Sequence, residues 1–134
     1  MRIAKPFLMF AVKKNSKSSK ANNGYHIDYS KYVNTGDWNM RRMFADLKNT
    51  GFLIYCYAIA HACGFNGEDI LGKIKMPTLI IHGAKDTIFP LKYGKAMAEK
   101  IKNSKMIIMD DIDHIIILNR PEKTIQIIKD FLKK

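Results

Sequence analysis

The apolar residues of this chain first recur at helical spacing and then collapse into short continuous runs. Met40, Met43, Phe44 and Leu47 fall at i, i+3, i+4 and i+7, which predicts one apolar stripe on a helix capped at Thr35 or Asp37. Thr50-Gly51 punctuates. Ile54, Tyr55, Ala58, Ile59 and Ala62 then predict a second helix, closed by Gly64. From Lys73 the pattern changes. "MPTLIIHG" enters through Pro77, leaves through Gly83 and carries apolar residues on both faces, as a buried central parallel strand does. Residues 91–102 predict a helix with Tyr93, Met97 and Ile101 on one side, and "KMIIMD" (105–110) predicts a second buried strand. Pro121 opens a final helix, with Glu122 near its positive end, Lys133 and Lys134 at its negative end, and Ile125, Ile128 and Leu132 as its buried side. Strand, helix, strand, helix in that order makes a βαβ unit of an α/β fold.

Composition narrows the function classes. A chain of 134 residues has room for one modest core. The net charge of +11 invites a nucleic-acid or anionic-membrane partner. However, the lysines are spread along the chain, and only "KKNSKSSK" (13–20) clusters, inside a polar segment (13–24) that reads as a solvated loop. No nucleic-acid-binding motif accompanies it, so no nucleic-acid partner is expected. The apolar run in "MRIAKPFLMFAVKK" is interrupted by Lys5 and Pro6, too short to span a bilayer and unlike a signal peptide. Cys56 and Cys63 share a helix face but stand about 10 Å apart along the axis, too far for a disulfide. They read as buried thiols of a reducing, cytoplasmic setting. His26, His61, His82 and His114 show no paired-ligand spacing, so no metal is expected.

The candidate chemistry lies at the strand ends. Parallel strands joined by a crossover share one C-terminal edge, where open α/β sheets place their sites. Asp86 follows the first strand and His114 the second. If the strands are neighbours, about 5 Å apart, the acid and the histidine rise from adjacent points. Taken singly, an Asp between strand and helix is a common cap or turn residue, and a lone loop His is commonly surface. As a pair on one edge they make a candidate acid–base unit.

At these residues the chain resembles the α/β-hydrolase superfamily, in its C-terminal part. "MPTLIIHGAKDTIFP" followed by "DDIDHIIILNRPEKTIQIIKDFL" is similar to the family's strand, HG, two residues, Asp and a nearby Pro, then a strand and a His before the last helix. The resemblance covers roughly residues 25 to 134. It implies that Asp86 is the triad acid, His114 the triad base and Pro90 the usual loop proline. Residues 1–72 would hold part of a helical cap, and residues 73–134 the C-terminal part of the hydrolase core. His82-Gly83 ends a strand and is not the family's oxyanion-hole HG; packing and hydrogen bonding are expected of His82. The family's chain order is nucleophile, acid, histidine, and no G-x-S-x-G occurs in this chain. Ser16, Ser18, Ser19, Ser30 and Ser104 lack the flanking glycines, and Cys63-Gly64 falls inside a helix. No nucleophile is assigned. The implied activity is carboxylic-ester hydrolysis by a Ser-His-Asp triad without cofactor, of which this chain carries two members. The competing expectation is an inactive truncated or split product that acts as an interaction module. Either way an upstream half or self-association is expected, because two strands make too small a sheet. Trp38, Met40, Phe44, Phe52 and Tyr55 fit a helix core at least as well as an acyl pocket, and the substrate-binding residues stay unknown.

Overall fold

The computed structural model describes residues 27–133; the lysine-rich segment 13–24 and the N-terminal apolar run lie outside the described residues. Two compact units emerge, one built on Asn39–Asn66, the other on Tyr29–Trp38 and Gly67–Lys134.

The first unit is a pair of consecutive helices, α1 (Met40–Thr50) and α2 (Phe52–Gly64), separated at Gly51. The cap differs from expectation. Asn39, not Thr35 or Asp37, caps α1, its side-chain oxygen accepting from the Arg42 amide at 2.9 Å. The buried faces differ too. Arg42 is buried on α1 while Met40 and Phe44 are exposed; Cys56 and Ala60 are buried on α2 while Ile54 and Ile59 are exposed. The sequence of α2, FLIYCYAIAHACG, is apolar nearly all round, so periodicity could not choose a face. Cys56 and Cys63 are both free thiols, Cys56 buried and Cys63 only half-buried. Trp38, Met40, Phe44 and Phe52 are exposed, which corrects their assignment to a core.

The second unit carries the sheet. A 3-10 turn (Tyr29–Tyr32) and a short α3 (Glu68–Leu71) lead to β1 (Thr78–Gly83), α4 (Leu91–Lys100), β2 (Ser104–Met109), a short α5 (Ile116–Asn119) and α6 (Pro121–Leu132). The strands pair in parallel, Thr78 opposite Ser104 through Gly83 opposite Met109, so both end on one edge. The ladder runs on into the loops: the Ala84 amide donates to the Met109 carbonyl and the Lys85 amide to that of Ile112, both at 2.9 Å. Helix α4 packs on both strands. Its contact point is Gly94, where a Cβ would come within 2.7 Å of His82 Nδ1 and 2.9 Å of the Met106 methyl; only a residue without a side chain lets the helix lie that close. Ile101, Met109 and Ile112 form the buried apolar centre of this unit.

The strands are less buried than their composition predicts. Residues 78–81 of β1 are half-buried, and only His82 and Gly83 are buried. A two-stranded sheet leaves β1 with one ladder partner among the described residues, so an apolar run suited to a sheet interior lies at an edge. The last helix departs in the same way: Ile125, Ile128 and Leu132 are exposed, and Thr124 is the buried residue. The apolar face of this helix is thus exposed among the described residues.

Candidate active site

The loops after β1 and β2 meet at the C-terminal edge of the sheet. Gly83 makes their approach possible. A Cβ there would stand 2.2 Å from the Asp113 carbonyl oxygen and 2.5 Å from that of Ile112, inside any permitted contact, so the second loop crosses directly over the end of β1.

That crossing brings the two expected residues together. His114 Nδ1 lies 2.9 Å from Asp86 Oδ2. An ionised carboxylate only accepts, so Nδ1 carries the hydrogen and donates it. Asp86 is rigidly held: its Oδ1 accepts from the Ile88 amide at 3.0 Å and the Phe89 amide at 2.7 Å. One carboxylate therefore does two jobs, closing an Asx-type turn through Oδ1 and orienting a histidine through Oδ2. Its side chain is 4% exposed, against 36% for that of His114. Among the described residues His114 Nε2 has no hydrogen-bond partner. The Phe89 ring lies beside the imidazole, centroids 5.4 Å apart. An imidazole fixed at Nδ1 with Nε2 unoccupied can accept a proton at Nε2 and hand it on, which is the geometry of a general base.

The neighbouring acids are occupied elsewhere. Asp113 Oδ1 accepts from the Ile115 amide at 3.1 Å. Asp111 pairs with Arg120 at 2.9 Å, and that hydrogen bond holds its carboxyl below the ordinary value. His82 is buried, its Nε2 donating to the Phe89 carbonyl at 2.9 Å; it packs and bonds as expected. Among the described serines, Ser104 starts β2 with its hydroxyl donating to the Ala98 carbonyl, at the opposite end from His114. Among the described residues no group of three or more His, Cys, Asp or Glu is arranged to hold a metal.

Sequence reasoning missed Asp37. It is only 6% exposed. Its Oδ2 accepts from the Thr87 amide at 2.8 Å and the Thr87 hydroxyl at 2.7 Å, and its Oδ1 from the His114 amide at 2.8 Å. Burial alone would push this carboxyl upward. The Thr87 hydroxyl, the Thr87 amide, the His114 amide and the charge His114 carries when protonated outweigh it and hold Asp37 below the ordinary value. Nothing in local spacing marks a residue whose partners lie 50 and 77 positions away.

The match to known proteins agrees with this architecture. A family model described as alpha/beta hydrolase fold matches residues 8–121. The chain belongs to that family. It is 36% identical over 62 residues to the monoacylglycerol lipase ABHD6 of Mus musculus, covering 46% of this chain and 18% of that protein. It is 30% identical over 68 residues to a pimeloyl-[acyl-carrier protein] methyl ester esterase of Neisseria meningitidis, covering 51% and 26%. Among solved structures, an esterase from Exiguobacterium antarcticum superposes with a TM-score of 0.62 at 19% identity, over 97% of this chain and 48% of that one. A membrane phospholipase A described as a bacterial virulence factor gives 0.60 at 23% identity, over 69% and 30%. The chain thus spans well under half the length of the curated relatives it matches. No helix among the described residues is long and apolar enough to cross a membrane.

Proposed function

We propose that this chain carries the acid and base of a serine-type carboxylic-ester hydrolase, Asp86 and His114, and that the nucleophile comes from a segment outside it. The observation that carries this reading is the 2.9 Å contact from His114 Nδ1 to a turn-locked Asp86, with Nε2 unbonded among the described residues. Lipase and esterase relatives support the ester as substrate class. In the completed site a serine hydroxyl attacks the ester carbonyl while His114 Nε2 takes its proton. Asp86 holds the imidazole in the required tautomer and stabilises the imidazolium, and His114 then protonates the departing alkoxide. No organic cofactor or metal takes part in this scheme. In this reading cap elements fall within residues 1–72 and the hydrolase core in 73–134, while Tyr29–Trp38 and residues 67–72 pack in one compact unit with the sheet. Two free thiols suit a reducing, cytoplasmic compartment.

A second reading is favoured by one observation. The exposed Ile125, Ile128 and Leu132 of α6 and the half-buried β1 are apolar surface suited to burial. They fit a chain that associates, with an upstream hydrolase half or with itself, without catalysing anything.

Kinetics decide between them. The pure chain is expected to hydrolyse an aryl ester no faster than background. Co-expressed with a segment bearing G-x-S-x-G from a family relative, it should gain turnover that His114→Ala lowers by roughly 10³-fold or more. Turnover by the chain alone that His114→Ala abolishes would overturn the missing nucleophile. Turnover of the assembled pair that survives His114→Ala would overturn the assigned roles, and an assembled pair with no turnover favours the second reading.

A further inference from the structure

The polar clusters outside the acid–base pair converge on the segment Asn34–Asp37. The Asn34 amide donates to Asn119 Oδ1 at 2.7 Å, and Arg120 Nη1 donates to Asn34 Oδ1 at 2.9 Å. Asp37 then reaches past these contacts to both loops of the site. Its three described hydrogen bonds go to Thr87, the residue directly after Asp86, and to the backbone of His114 itself. We infer that Asp37 is a positioning residue, whose buried carboxylate fixes the Asp86 loop and the His114 loop at one separation and so sets the Asp86–His114 hydrogen bond. This inference rests on the acid–base reading above and deepens it.

The chemistry of the side chain makes the assignment specific. The three described partners of Asp37 are donors, two at Oδ2 and one at Oδ1. Only a carboxylate offers acceptors at both positions. In Asp37→Asn the amide nitrogen must face either the Thr87 pair or the His114 amide, so one side meets donor to donor whichever way the group flips. The loops are then free to part by the few tenths of an ångström that separate a good Nδ1–H···O bond from a poor one. Its described contact with His114 is to the backbone amide, and it holds the Thr87 loop through both the amide and the hydroxyl. A carboxylate used simply to hold the fold together would have no reason to span these two loops at the residues flanking the pair.

The test is NMR on the full chain. In the wild type, a deshielded His114 Nδ1 proton and slow exchange at the Thr87 and His114 amides are expected. Asp37→Asn should abolish or broaden that ring signal and speed exchange at both amides about tenfold or more, with Asp86 and His114 intact. Amides around Ser104, at the far end of the sheet, should stay unchanged, which a general loss of stability would not spare. Should Asp37→Asn fail to fold, Thr87→Val keeps the Asp37 carboxylate and its two amide donors, removes the hydroxyl that donates to Asp37 and accepts from Trp38 Nε1, and should broaden the same ring signal. An unaltered His114 signal in a folded Asp37→Asn, or in Thr87→Val when that variant must stand in, overturns the inference and leaves the acid–base reading intact. A wild-type spectrum with no Asp86-dependent ring signal sinks the acid–base reading and the inference with it.

Discussion

Gly83→Ala should cost the chain roughly 3 kcal/mol or more, at or beyond the upper end of what overpacking ordinarily costs. The added methyl would lie 2.2 Å from one backbone carbonyl oxygen and 2.5 Å from the next. Neither neighbour is the flexible end of a side chain that could swing away. The whole 110–114 loop would have to lift, and with it the ladder bonds from the Ala84 and Lys85 amides and the seating of His114 over Asp86. Thermal or urea unfolding of the variant measures the cost. Gly72→Ala is the matched control, since its nearest contact is the Lys100 carbonyl at 4.0 Å, and it should shift stability by no more than about 0.5 kcal/mol. Equal behaviour of the two variants would mean that the loop does not cross β1 as described.

Asp37→Ala should be the next most damaging change, about 3 kcal/mol at neutral pH, because it strands donors in a nearly closed site. The loss should also depend on pH. The folded-state pKa of Asp37 is depressed, so its contribution to stability is complete above the unfolded value, near 3.9. It disappears as pH falls through the lower folded value. Wild type and variant should therefore differ most at neutral pH and converge as pH falls through the depressed folded value. Urea unfolding at both ends of that range checks the trend. A gap that widens on acidification would show that the Asp37 carboxylate is not held ionised by its donors.

The pair at the heart of the site could be read from sequence because two short apolar runs with polar exits define a shared edge, and Asp86 and His114 occupy those exits. A turn contact and a histidine contact do not compete at Asp86, since Oδ1 closes the turn and Oδ2 accepts from His114. Burial was legible less well. Ile125, Ile128 and Leu132 have the periodicity of a buried face yet are exposed, because periodicity records the surface a helix is written to cover and not whether a cover is present. Asp37 was illegible for a different reason. Its position before a helix invited the reading of a cap, a role Asn39 fills, while its real partners lie across the fold in two loops that only the tertiary structure brings near.

If Asp86 and His114 form one acid–base unit with Nε2 as the proton acceptor, ring ¹⁵N NMR of His114 will show it. At a pH where the imidazole is neutral, the Nδ1-protonated tautomer is expected, with Nε2 bearing the lone pair. Asp86→Asn should disturb that tautomer, and Asp113→Asn should leave it alone, since Asp113 Oδ1 is engaged by the Ile115 amide. An Nε2-protonated ring in the wild type, or a tautomer that answers to Asp113→Asn and not to Asp86→Asn, would mean that Asp86 and His114 are not such a unit.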